Sequence, residues 1–204
     1  MINKRIFVTG IGAGIGKTVV SAILVEKLKA DYWKPIQSGD LDNSDTRAVQ
    51  ALVSNTVTKF HPEAYRLTQP FSPHKSAYLD GIIIDPEKII TPDTDNMLII
   101  EGAGGLMVPL NEQFLMIDLV KKLDAEVVLV SQNYLGSINH TLLSIAVLKQ
   151  HNIPVKGLIF NGPKEPYTED FILSYTGIKL LGHILPFDII DKQAIINAGA
   201  GIAL

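Results

Sequence analysis

The chain has 204 residues, 47% of them hydrophobic and 19% charged, with a formal net charge of −3. That length and apolar content bury one sizeable core and exclude a disordered chain, while the lack of clustered Lys and Arg argues against nucleic-acid binding. Cysteine is absent, which removes disulfides, thiolate nucleophiles, Cys-ligated zinc and iron–sulfur clusters together.

In chain order, "RIFVTG" (Arg5 to Gly10) reads as a buried strand, and "TVVSAILVEKLKA" as a helix with Val20, Ile23, Leu24 and Leu28 on its buried face. "DYWKPI" is a second strand, stopped by Pro35, and "DTRAVQALV" is helical. Residues 54–96 are rich in Pro, Thr, Asp and His and read as a mostly irregular excursion with one helix near Ser76 to Leu79. "NMLIIEG", "EVVLVSQ" and "VKGLIFNG" are further buried strands, the last two joined by the helix "INHTLLSIAVLKQHN"; "KLLGHILPF" closes the series. Fully apolar strands separated by helices predict one α/β domain over residues 1–204, a mostly parallel sheet flanked by helices. Lys4 and Arg5 before a glycine-rich run loosely resemble a signal peptide. Lys17 ends the run and no small-residue cleavage site follows. No apolar run is long enough to span a membrane. The expectation is a cytoplasmic protein that contacts neither membrane nor nucleic acid.

In such a sheet, ligands bind beyond the carboxyl ends of the strands. The stretch "VTGIGAGIGKTVV" follows the first strand. A dinucleotide fingerprint fails there: counted from Gly10, its third glycine falls on Ile15, and counted from Gly12 on Lys17. Strand, glycine-rich turn, Gly16-Lys17-Thr18 and helix match a phosphate loop of a P-loop NTPase. Backbone N–H groups and a helix N-terminus hold the anion, Lys17 reaches the β- and γ-phosphates, and Thr18 joins a Mg²⁺ shell. Standard spacing would put a glycine at Ile11, however, and Gly10 stands one place early, so the kind of NTPase stays open at this point. Glu101 ends the apolar run "MLII" as a Walker-B acid does. Asp45, in "NSDTRAVQ", suits a metal shell or the first turn of a helix.

The stretched loop, "YWKPIQSG", "NSD" at Asn43 to Asp45, "SPH" at Ser72 to His74, "EGAGGLMVPL", "LGSINHTLL" and "FNG" occur here in the order of one family. The chain resembles the dethiobiotin synthetases, ligases of biotin biosynthesis. The resemblance implies ATP-dependent closure of a ureido ring on 7,8-diaminopelargonate with CO₂ (from bicarbonate), through a carbamate and a carbamic–phosphoric anhydride, in a homodimer using ATP and Mg²⁺. It assigns catalysis to Lys17 and Lys34, and the metal to Thr18, Asp45 and Glu101. Nucleotide contacts fall on Gly12, Ala13, Gly14, Ile15, Gly16, Lys17, Thr18, Val19, Asp45, Glu101, Gly102, Ala103 and Gly104. The base meets Asn161, Gly162, Leu185, Pro186 and Phe187. Ser38 faces the amine or carbamate end of the substrate, and Gly136, Ser137 and Asn139 its tail carboxylate. One departure stands out: Ile11-Gly12-Ala13-Gly14 replaces polar loop residues of the family, which makes an ATP-binding relative with impaired catalysis one alternative. A partition or motor-type ATPase is the other, although its signature lysine is absent at Ile11 and Gly12.

Overall fold

The computed structural model describes residues 4–204. Strand β1, Arg5–Gly10, is buried from Ile6 onward and feeds helix α1, Lys17–Leu28. There follow β2 Asp31–Trp33, β3 Ile36–Ser38, α2 Asp45–Leu52, β4 Phe60–His61, β5 Tyr65–Leu67 and α3 Pro73–Leu79. The second half comprises β6 Leu98–Gly105, α4 Met116–Lys122, β7 Glu126–Ser131, α5 Ser137–Gln150, β8 Val155–Asn161, α6 Pro166–Thr176, β9 Leu180–Ile184 and α7 Lys192–Ala200. Seven strands form one sheet in the order β4-β2-β6-β1-β7-β8-β9, and every pair is parallel. A parallel sheet carries helices on both faces, which is why its strands are apolar throughout. Alternate residues divide between two cores. Phe7, Trp33, Ile100, Leu129 and Phe160 face one way, whereas Ile6, Val8, Tyr32, Ile99 and Val128 pack on the side of α1 and α7.

Several elements differ from the sequence reading. "DYWKPI" is two strands rather than one. Pro35 has no N–H to give a ladder, so β2 ends at Trp33 and β3 pairs instead with β5 in a separate two-stranded sheet. The excursion 54–96 therefore contains β4 and β5, and its helix begins earlier, with Pro73 in the first turn. The helices α4, α6 and α7 have no counterpart in the sequence reading. α7 packs on α1 and covers a second side of it, so Val20 and Ala22 to Val25 are all buried. Among the described residues, no helix is long and apolar enough to cross a membrane. The strand order reverses around β1, and the carboxyl ends of β1, β2 and β6 open on one edge of the sheet, where such folds hold ligands.

Candidate active site

The loop between β1 and α1 turns through two glycines in the left-handed region, Gly14 (φ +70°) and Gly16 (φ +87°). A Cβ on Gly16 would lie 2.1 Å from Asn161 Nδ2, which itself donates to the Ile15 carbonyl at 3.0 Å. The loop is thus braced from the end of β8, and only glycine fits the brace. Strand register assembles the rest. Tyr32 on β2 lies opposite Ile99 on β6, so Lys34 and Glu101, each two residues further on, reach the α1 side of the sheet together. Ser44 caps α2, its hydroxyl accepting from Arg47 N, and this sets Asp45 at the start of that helix. Gln37 fixes Asp45 from behind: Asp45 N donates to Gln37 Oε1 (3.2 Å), and Gln37 Nε2 donates to the Gly39 carbonyl (3.0 Å).

These elements bring Thr18, Lys34, Asp45 and Glu101 into contact. The Thr18 hydroxyl is 2.8 Å from both Asp45 Oδ1 and Glu101 Oε1. The Lys34 ammonium donates to Asp45 Oδ2 and, at 3.3 Å, to Glu101 Oε1. Lys17 Nζ donates to the Gly12 carbonyl at 3.1 Å, folded over the loop. Burial alone pulls the Lys34 pKa down, but Glu101 and Asp45 outweigh it and hold it above the ordinary lysine value. For Lys17, burial prevails, with the Lys34 charge adding to it, and its pKa is lowered. Asp45 is pushed up by burial yet held below the usual carboxylate range by Lys34 and Thr18. Two cations and two carboxylates balance here, with both lysines facing one cavity. The arrangement can grip a polyanion and neutralise charge that spreads during phosphoryl transfer.

A hydroxyl has one proton and cannot donate fully to two carboxylates. One of the two Thr18 contacts is therefore an oxygen pair without a proton, which a hard cation held by Thr18, Asp45 and Glu101 would satisfy. Among the described residues, no group of three or more His, Asp or Glu converges, so water and phosphate oxygens would complete the shell, as suits magnesium.

The cavity measures about 660 Å³ and is lined by Ala13, Gly14, Gly16, Lys17, Thr18, Lys34, Ser38, Asp45, Glu101, Ala103 and Gly104, all singled out in the sequence. The Ser38 hydroxyl is buried with no hydrogen-bond partner, so it is ready for a ligand. Gln37, Val108 and the segment Pro70–Pro73 also line the cavity; Val108, Ser72 and Pro73 lie in quoted segments, but none of these residues was given a site role. Gln37 carried a signal, since it lies inside "KPIQSG". The strap 70–73 reaches the site because Gly39 (φ +71°) abuts Pro70, where a Cβ would come within 2.7 Å of the Pro70 Cα. No sequence pattern displays that approach.

The remaining candidates lie elsewhere. Ile15 and Val19 face the core on the α1 side, and Gly102 is buried against the Phe7 ring. Gly12 lines a second cavity of about 400 Å³ between the loop and α5, together with His140 and Leu143. Gly136, Ser137 and Asn139 begin α5 outside both cavities. Ser137 is buried, whereas Gly136 and Asn139 are exposed. Leu185, Pro186 and Phe187 line a groove against α7, separate from the lysines. Gly162 lies at the end of β8, its carbonyl accepting from His183 Nε2 (2.8 Å).

A family model described as an AAA domain matches residues 4–194. An ATP-dependent dethiobiotin synthetase BioD of Christiangramia forsetii is 51% identical over 192 residues, covering 94% of this chain and 92% of that protein. The Cytophaga hutchinsonii protein of the same name is 49% identical over 193 residues, covering 94% and 93%. Among solved structures, the septum site-determining protein MinD complexed with Mg-ADP from Pyrococcus horikoshii superposes with a TM-score of 0.62. It is 16% identical, with 95% of this chain and 85% of that one covered, a likeness of fold alone.

Proposed function

The chain belongs to the ATP-dependent dethiobiotin synthetase family, and from that membership we propose how its residues close a ureido ring on 7,8-diaminopelargonate. The observation that carries the reading is the meeting of Lys17, Lys34, Thr18, Asp45, Glu101 and the unpartnered Ser38 hydroxyl around one cavity. ATP lays its phosphates along the loop amides of Ala13 to Thr18, at the N-terminus of α1. Its base reaches Asn161, Gly162 and the segment Leu185–Phe187. The diamine enters from the opposite wall, past the strap 70–73, with one nitrogen at Ser38.

One amine captures CO₂ as a carbamate. A carbamate oxygen attacks the γ-phosphorus, and ADP leaves. The second amine then attacks the carbamoyl carbon, phosphate departs and the ring closes. No protein nucleophile is required, so the protein's work is alignment and charge neutralisation. Lys34 stays cationic because two carboxylates hold its proton, and it counters the charge passing between carbamate and phosphoryl oxygens. Lys17 follows the β- and γ-phosphates. Mg²⁺, held by Thr18, Asp45 and Glu101, would supply Lewis-acid neutralisation of the phosphate oxygens. We further propose a cytoplasmic homodimer, with Gly136, Ser137 and Asn139 at the head of α5 receiving the substrate carboxylate at the interface.

The test is phosphate release from ATP, Mg²⁺ and bicarbonate, measured with and without 7,8-diaminopelargonate. Release is expected only with the diamine and in equal amount to dethiobiotin. Release that ignores the diamine would overturn the reading and favour a motor-type ATPase. ATP binding without turnover would mark a relative whose loop, Ile11-Gly12-Ala13-Gly14, has lost its chemistry.

A further inference from the structure

Tyr32 opens the segment "YWKPIQSG" but was given no role in the site, yet it touches the centre of the site. It is fully buried on β2, and its hydroxyl donates to Glu101 Oε2 at 2.9 Å. Among the described residues, that is the one hydrogen bond to Oε2. The other oxygen, Oε1, faces Thr18 and Lys34. Glu101 is itself 1% exposed, so without Tyr32 one carboxylate oxygen would be buried and unpaired. The carboxylate is planar and its terminal torsion is soft, so anchoring Oε2 fixes the direction in which Oε1 points. Burial, with Glu101 beside it, pushes the Tyr32 hydroxyl pKa well up, and the group remains a donor.

We propose that Tyr32 is a positioning residue: by holding Glu101 Oε2 it aims Oε1 at the cation site, and so sets how tightly magnesium joins the bound nucleotide. This rests on the reading of Thr18, Asp45 and Glu101 as the metal's ligands. A ring that served the core alone would tolerate loss of its hydroxyl without any effect on the metal.

The experiment uses Tyr32→Phe in the full chain, which keeps the ring and removes one oxygen; far-UV circular dichroism checks the fold. ADP is titrated calorimetrically with Mg²⁺ and without divalent metal, and dethiobiotin formation is followed against Mg²⁺ at saturating ATP. The expected outcome is a roughly tenfold rise in the Kd of ADP with Mg²⁺ and in the half-saturating Mg²⁺ concentration. Metal-free ADP affinity and kcat at saturating Mg²⁺ should stay within about twofold of wild type. Equal losses with and without metal, or an unchanged Mg²⁺ dependence, overturn the role of Tyr32 and leave the metal reading standing. A wild-type protein that binds ADP equally well with and without Mg²⁺ overturns both.

Discussion

At the residue scale, Lys34 is the side chain with most at stake. It is 5% exposed, and two carboxylates keep it charged there. Replacing it with Ala leaves Asp45 and Glu101 uncompensated and removes a cation aligned with the reacting phosphoryl group. Lys34→Ala should lower kcat by about 10²- to 10³-fold, the usual cost of one oriented charge-stabilising group. The Kd of ADP should change by less than about threefold, because Lys17 and the loop amides carry binding. Stopped assays for dethiobiotin and calorimetry for ADP measure the two, and equal losses in both would refute the assigned role. Lys17, Thr18 and Glu101 were legible in the sequence because short motifs fix what precedes and follows them. Tyr32 was not: its contact arises from the pairing of β2 with β6, 67 residues from Tyr32 to Ile99 along the chain, and a buried aromatic reads as core. Asn161 was singled out in the sequence as a base contact, but its brace on the Ile15 carbonyl was not legible, since that contact depends on how β8 ends beside the loop.

At the element scale, β2 is held at both ends by polar groups. Its far end carries Asp31, which is buried and accepts from Lys59 N (3.0 Å), Thr94 Oγ1 (2.7 Å) and Asn96 Nδ2 (3.1 Å), with His61 Nε2 at 3.1 Å. Burial raises its pKa, but these hydrogen bonds outweigh burial and hold it below the 3.8 of a free Asp. A carboxylate depressed in the folded state contributes stability that is complete above its unfolded pKa and lost as pH falls through the folded value. Asp31→Asn should therefore cost about 2 kcal/mol at pH 7, the value of hydrogen bonds to a buried charge. Urea unfolding should show the gap between variant and wild type narrowing as pH drops below 3.8. A gap that is constant with pH would mean that shape, not charge, is what the substitution disturbs. The strands were readable because parallel pairing demands unbroken apolar runs. α6 and α7 were not, because few of their residues are buried (Glu169 and Ile172 in α6, Ile195 and Gly199 in α7).

At the scale of the whole molecule, the second cavity lies between the loop and α5, and Met107 and Leu143 on its walls are each 56% exposed. Leu135, just ahead of α5, is fully exposed. Exposed apolar groups such as Met107 and Leu143 on the walls of one cavity favour a protein partner, and they support the proposed homodimer. Leu143→Glu should yield a monomer in sedimentation and raise KM for the diamine by roughly tenfold or more, leaving the Kd of ADP unchanged. A variant that sediments and reacts like wild type would rule out this face. The architecture as a whole was legible from strand–helix alternation, and the cavity's position followed from the edge at which parallel strands end. Its far wall was not, because the strap 70–73 owes its place to the packing of Pro70 on Gly39. The central place of β1 also governs the order in which the molecule can be made. Phe7 lies between Ile100 and Val127, so the phosphate loop leaves the ribosome early but its flanking strands come much later. Long-range pairing of that kind is slow, and a nascent chain that stops short of β7 has the letters of a nucleotide site without the scaffold that spells it.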